Sequence, residues 1–263
     1  MLTTQYGLTP APQGPLQILF EPTVATPSGA PSDRTSAYLP EPLSFSLVVP
    51  TYNEGRNIET IVAQLSGLLD TVLPRDYELI IVDDDSPDGT WQHALALIGD
   101  YPQLRVVRRQ GERGLATAVI RGWQVAQGEI LGVIDGDLQH PPETLIQLLD
   151  AMAQGVDLAI ASRHVEGGGV STWSAARRFL SRGAQVLGLV ILPQVLSRVS
   201  DPMSGYFLVR RSAIAERPLN PVGYKILIEV LGRGSIGAIA EVGYVFHERT
   251  AGESKVTWKQ YAD

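Results

Sequence analysis

FSLVVPTYNEGRNIETIVAQLSGLLDTVLPRDYELIIVDD, residues 45–84, sets the architecture of the chain. Its two ends, FSLVVP (45–50) and ELIIVDD (78–84), are almost continuous apolar runs, as strands covered on both faces should be. Between them Ile58, Ile61, Val62, Leu65, Leu68 and Leu69 recur at steps of three and four, which predicts an amphipathic crossover helix over 55–70. Strand, helix and strand in that order form a βαβ unit, and the pattern continues. LRVVRR (104–109) predicts another strand, Leu115 to Ala126 a helix, and EILGVID (129–135) a further strand. The expected fold class is α/β, a mostly parallel sheet with helices on both faces. In open sheets of this kind ligands bind beyond the carboxyl ends of the strands, which is where PTYNE, VDDDSPDGT and DGDLQ fall.

Upstream, residues 1–44 are rich in Pro, Ser, Thr and Gly and lack apolar periodicity, so a disordered or loosely packed tail is expected there. LQILF (16–20) is the one stretch of it able to dock as a strand or an amphipathic turn. No basic flank precedes an apolar core in the first residues, so no signal peptide is read. The 263 residues, 44% of them hydrophobic, suffice for one catalytic-sized domain, placed at 45–263. A net charge of −7 argues against nucleic acid as a partner and requires any anion site to be a local cluster of basic residues. With no cysteine, disulfides and Cys-ligated metals are excluded.

LGVIDGDLQHPP (131–142) drives a strand into Asp135, Gly136, Asp137 and Gln139. Two carboxylates one residue apart, with an amide oxygen two further on, are hard ligands suited to Mg²⁺ or Mn²⁺, ions that usually complete their shells with substrate phosphates. A solvated acidic turn would read the same way in isolation. Three consecutive aspartates, Asp83, Asp84 and Asp85, crowd negative charge and require compensating partners. Between 163 and 182, Arg163, Arg177, Arg178 and Arg182 face a single acid, Glu166. In a helix over 173–190, Arg177 and Ser181 would share a face able to take a phosphate. VLGLVILPQVL (186–196) is too short and too broken by Pro193 to span a membrane, and reads equally as core or as an interfacial helix.

FSLVVPTYNE, ELIIVDDDSPDGT, GLATAVIRGWQVAQGE and IDGDLQHPPE together resemble the nucleotide-sugar-dependent glycosyltransferases of family 2, which have the Rossmann-like GT-A fold. ASRHVEGGG, WSAARRFLS, SDPMSGYFLVRR, LNPVGYKILIEVL and RTAGESK narrow the resemblance to the polyprenyl-phosphate sugar transferases, of the dolichol-phosphate mannose synthase and bacterial prenyl-phosphate glucosyltransferase kind. The resemblance covers 45–259. It implies a nucleotide-binding half over 45–140 and an acceptor-binding half over 141–263, with interfacial helices in the latter. Pro50, Tyr52, Asn53, Glu54 and Asp84 would contact the donor nucleotide, and Ser86, Asp88 and Gly89 would shape the turn before a helix starting near Thr90. Asp135, Asp137 and Gln139 would hold Mg²⁺ or Mn²⁺ and the donor diphosphate, with Gly136 leaving room for the sugar.

Arg163, Arg177 and Ser181 would take the acceptor phosphate, and Arg249 and Lys255 would close over the donor. Tyr224 and Lys225 would belong to a helix packed below the site, with Glu229 as partner for a buried cation. Implied partners are a nucleotide sugar (UDP-glucose or GDP-mannose), a polyprenyl phosphate (undecaprenyl or dolichyl) and a membrane surface. A homo-oligomer is compatible with the sequence. Expected catalysis is inverting, with Asp137, Arg163 and Arg177 central. A phosphate monoester is already largely dianionic at neutral pH, so none of His93, His140, His164 and His247 is needed as a base. Relatives of this kind often continue into transmembrane helices, so a cytoplasmic-face location with an anchor past residue 263 is expected. The alternatives are a family 2 transferase using a saccharide hydroxyl and a non-catalytic nucleotide-sugar-binding module.

Overall fold

The computed structural model describes residues 8–18, 44–170, 197–215, 217–221 and 223–246. In chain order these form β1 (Leu8–Thr9), β2 (Phe45–Thr51), α1 (Ile58–Val72), β3 (Tyr77–Asp83), α2 (Thr90–Ala96), β4 (Leu104–Arg108), α3 (Leu115–Val125), β5 (Ile130–Val133), α4 (Thr144–Ala153), β6 (Leu158–Ser162), β7 (Gly169–Val170), β8 (Phe207–Arg210), α5 (Arg211–Ile214), α6 (Ile226–Arg233), β9 (Ile239–Gly243) and β10 (Val245–Phe246). Every residue of β2, β3 and β6 is buried, which accounts for their unbroken apolar sequences.

Eight strands make one sheet in the order β1-β4-β3-β2-β5-β8-β6-β9. β8 runs antiparallel to both β5 and β6, and the remaining pairs are parallel. β7 and β10 pair separately. The two-residue period of the strands divides their side chains between two cores. Val48, Ile80, Val82, Val107 and Val133 face α3 and α6, whereas Leu47, Val49, Leu79, Ile81 and Val106 face α1, α2 and α4. Each such fully buried aliphatic side chain contributes roughly 1.5–3 kcal/mol relative to exposure. Trp123 fixes α3 on the sheet, donating from Nε1 to the Gly132 carbonyl at 3.1 Å and meeting the Phe207 ring edge-on at 6.0 Å.

Part of the segment expected as a loose tail is docked. Leu8 and Thr9 extend the sheet beyond β4, and Ile18 is fully buried in the α3-side core. Polar side chains of α3 hold the chain between them: Arg121 donates to the Gly14 carbonyl at 3.1 Å, and Gln124 to those of Pro15 and Gln17 at 2.8 and 3.0 Å. Ile18 belongs to LQILF (16–20), the stretch expected to be able to dock, whereas the pairing of Leu8 and Thr9 is unexpected, because a two-residue strand on an open sheet edge needs no periodicity of its own. The predicted interfacial helices at 173–196 lie outside the described residues. No helix among the described residues is long and apolar enough to cross a membrane.

Candidate functional site

Parallel β2, β3 and β5 end side by side, so the three polar loops that follow them meet. In each loop one non-glycine residue adopts a left-handed backbone: Asn53 (φ 53°), Asp85 (φ 54°) and Leu138 (φ 59°). Asn and Asp tolerate that region, but for Leu138 it costs about 1–2 kcal/mol, and such strain gathers where loops are shaped for a ligand.

The loop after β2 is tied to the loop after β3. The Asn53 N–H donates to Ser86 Oγ at 2.9 Å, the Glu54 N–H to Thr90 Oγ1 at 2.9 Å and the Gly55 N–H to Asp88 Oδ2 at 3.0 Å. Asp88 also accepts from the Thr90 N–H and hydroxyl, so Ser86, Asp88 and Gly89 shape this turn as expected. Glu54 is buried and accepts from Asn57 Nδ2 at 2.7 Å. Tyr52 lies under a cation absent from the sequence reading: Arg113 stands 4.7 Å above its ring and donates to its hydroxyl at 3.0 Å.

All three aspartates after β3 have protein partners. Asp83 accepts from Ser86 and Thr51. Asp84 takes the buried Arg109 guanidinium, with Nε at 2.6 Å, and the Gly114 N–H at 2.8 Å. Burial nevertheless pushes the Asp84 carboxyl up, against the pull of Arg109. Asp85 pairs with Arg108 at 2.6 Å.

The loop after β5 is different. Asp137 is buried and accepts the Gln139 N–H at 3.1 Å. Asp135 Oδ2 lies 3.4 Å from His140 Nε2, while Asp135 Oδ1 is buried with no hydrogen-bond partner among the described residues. His140 is packed among Tyr206, Tyr244 and Phe246, with ring centroids at 5.2–5.5 Å, and thereby buttresses Asp135 from behind. Its own Nδ1 and the Tyr244 hydroxyl are also buried without partners among the described residues. An unpaired buried carboxylate oxygen next to a second carboxylate is what a divalent cation would satisfy, so this donor set fits one. Gly136 does not open space for a sugar: a Cβ there would meet the Pro50 carbonyl at 3.2 Å and Thr51 Cγ2 at 3.2 Å. Gly205 is the glycine that the acidic position requires, because a Cβ there would fall 2.5 Å from Asp135 Oδ2.

Opposite this loop, Arg163 is held by Asp201. Nε and Nη2 donate to the two carboxylate oxygens at 2.7 and 2.8 Å, and the Arg163 N–H adds a third bond at 3.1 Å. Burial alone would lower the Arg163 pKa, but the Asp201 hydrogen bonds and charge outweigh it and raise it, so the guanidinium stays charged. Burial likewise opposes ionisation of Asp201, and the Arg163 bonds overcome it and hold its carboxyl below the usual range. The aspartate of the Asp-Pro-x-Ser-Gly loop is therefore an anchor for Arg163. Leu115, Asp135, Met203, Ser204, Tyr224 and Lys225 line a cavity beside the loop after β5. Lys225 thus stands at the site and not below it. Among the described residues Glu229 pairs with the half-exposed Arg233, at 2.5 Å, and with no buried cation. Arg177, Ser181, Arg249 and Lys255 lie outside the described residues.

The family model for glycosyl transferase family 2 matches residues 46–217. The dolichol-phosphate mannosyltransferase of Pyrococcus furiosus is 42% identical over 217 residues, 82% of this chain and 60% of that protein, so this chain spans under two thirds of that relative. The Saccharomyces cerevisiae protein of the same name is 34% identical, with 82% of each chain covered, and the polyprenol monophosphomannose synthase of Mycolicibacterium smegmatis 34%, with 80% of each. Among solved structures, glucosyl-3-phosphoglycerate synthase from Mycobacterium tuberculosis in complex with Mn²⁺, UDP and glucosyl-3-phosphoglycerate superposes with a TM-score of 0.60 at 25% identity, covering 81% of this chain and 73% of that one. The mixed sheet with its antiparallel β8 is the GT-A arrangement. With the family model and these relatives covering most of its length, the chain belongs to glycosyl transferase family 2.

Proposed function

We propose that this chain transfers a hexose from a nucleotide sugar, GDP-mannose or UDP-glucose, to a polyprenyl phosphate at a membrane surface, on its cytoplasmic face. The mannosyl names of relatives at 34–42% identity favour mannose. One observation supports the reading above the others: a buried, unpaired Asp135 oxygen beside Asp137 shares a cavity with Lys225, while charged Arg163 stands opposite. Such a site can hold two anions against each other.

In this reading Asp135, Asp137 and Gln139 hold Mg²⁺ or Mn²⁺. When bound, the ion would stabilise the charge that builds on the departing nucleoside diphosphate. Pro50, Tyr52, Asn53, Glu54 and Asp84 form the nucleotide side, joined by Arg113 through Tyr52. Arg163, with Arg177 and Ser181, orients the acceptor phosphate, and Arg249 and Lys255 cover the donor. An acceptor that is already anionic needs no general base, so the residues position and the nucleophile attacks directly, with inversion. His140 holds Asp135 and moves no proton. Residues 45–140 serve the nucleotide and 141–263 the acceptor.

A transferase using a saccharide hydroxyl would need a general base near Asp137. The test is a donor panel with a short-chain polyprenyl phosphate and, in parallel, with sugar acceptors, each with and without EDTA. EDTA-sensitive transfer to the prenyl phosphate, with the anomeric configuration inverted by NMR, is expected. Transfer only to a hydroxyl, or a retained configuration, would overturn the reading.

A further inference from the structure

Lys225 is the charged side chain of the cavity to which no role has been given. It follows the Gly223-Tyr224 turn and sits at the N-cap of α6, which directs it back towards the ends of β5 and β6. Its ammonium donates to the Met203 carbonyl at 3.2 Å and lies 4.3 Å from the Tyr224 ring centroid. Among the described residues no carboxylate pairs with it. Asp201 is committed to Arg163 through both oxygens, and Asp135 reaches Lys225 only through its field. A buried ammonium with one carbonyl and one ring face for company is undercompensated. Burial lowers its pKa to about 8, and the neighbouring Arg163 charge acts in the same direction.

The surroundings specify what would compensate it. Asp135, assigned to the cation and donor diphosphate, lines the same cavity as Lys225, and the charge of Arg163, assigned to the acceptor phosphate, is felt at the Lys225 ammonium. An anion brought beside Lys225 therefore enters the field of two cationic side chains. We propose that Lys225 is a phosphate-binding residue of this site, which together with Arg163 holds the acceptor's phosphate monoester against the donor. The inference rests on the reading above, in which the acceptor is a prenyl phosphate. It adds a contact from α6, so the phosphate is gripped from two chain segments more than 60 residues apart in sequence. A flexible ammonium suits an oxyanion whose position shifts as it attacks, and the guanidinium, fixed by Asp201, sets its orientation.

The experiment compares the full chain with Lys225→Met, which keeps the aliphatic stem in its packing, and with Lys225→Arg, which keeps the charge. Binding of farnesyl phosphate and of GDP-mannose or UDP-glucose is measured by calorimetry with Mn²⁺ present, next to steady-state transfer, and thermal melts monitor folding. Lys225→Met should weaken farnesyl phosphate binding on the order of tenfold or more, the loss of one charge-assisted contact, and raise the acceptor KM in parallel. Nucleotide-sugar affinity should stay within about twofold and Lys225→Arg should recover part of the acceptor affinity. Acceptor affinity unchanged in Lys225→Met, or lost equally for acceptor and donor, would overturn the inference while leaving wild-type transfer intact. Wild-type protein that neither binds nor glycosylates a prenyl phosphate would instead remove the functional reading on which it rests, and the inference with it.

Discussion

Asp83–Asp85 after β3 and Asp135–Asp137 after β5 flank β2 on either side, and the fold treats them in opposite ways. In the first turn every carboxylate has a protein partner: Thr51 and Ser86 on Asp83, Arg109 and the Gly114 N–H on Asp84, Arg108 on Asp85. In the second, Asp135 lies against His140 in the space that Gly205 leaves, yet one of its buried oxygens has no partner among the described residues. The denser run of acids is thus held by the protein's own donors, and the sparser one keeps a buried oxygen that no described residue satisfies. Residue type marks both turns as acidic; the number of donors folded around each decides what it can bind.

The sharpest way to break this contrast is to remove Asp84. Doing so leaves the Arg109 guanidinium, 1% exposed, without its counter-charge, and breaking a buried pair on one side costs about 3–5 kcal/mol. Asp84→Ala should therefore shift the urea midpoint strongly downward. Asp135→Asn should leave that midpoint nearly unchanged, because among the described residues Asp135 Oδ1 has no hydrogen-bond partner to lose. Its effect should fall on turnover, reduced about 10²–10³-fold as for removal of one pre-organised electrostatic contact, and on Mn²⁺ affinity measured by calorimetry. Were Asp135→Asn to unfold the protein as readily as Asp84→Ala, the two turns would not differ in kind.

Local signals made the first half of the molecule legible. β2, β3, β4 and α3 fall within a residue or two of their expected bounds, since burial on two faces writes itself as unbroken apolar runs and crossover helices as a spacing of three and four. Pairings between distant residues were not legible. Nothing near Asp84 announces Arg109, 25 residues on, and nothing near Asp201 announces Arg163, 38 residues back. His140 read as incidental because its meaning comes from Tyr206, Tyr244 and Phe246, which the antiparallel β8 and the β9–β10 turn bring to it. The resemblance puts Lys225 in a helix packed below the site, whereas it caps α6 and lines the cavity beside Asp135, a placement that depends on the distant loop after β5. The docking of residues 8–18 depends on an open sheet edge elsewhere in the chain.

A smaller change probes how finely the open turn is held. Gly205→Ala would put a methyl 2.5 Å from Asp135 Oδ2, so the carboxylate must swing aside while the charge is retained. A displacement of that kind near the chemistry costs about 10–10²-fold in rate. Mn²⁺ activation should move to higher concentration with less loss of stability than in Asp84→Ala; an unaltered activation curve would mean that Asp135 has other room to move.

The smallest effect belongs to Asp85, the outer member of the turn after β3. Its bond to Arg108 is short, at 2.6 Å, but the two side chains are 40% and 28% exposed, and pairs in that setting contribute about 0–1 kcal/mol. Arg108 also lies 4.1 Å from the Trp91 ring centroid, so it keeps a resting place when the carboxylate is gone. Asp85→Ala should accordingly move the urea midpoint by much less than Asp84→Ala, although the two aspartates are adjacent and alike in sequence. A loss as large as that of Asp84→Ala would mean that the run of three acts as one network, and exposure would then no longer rank its members.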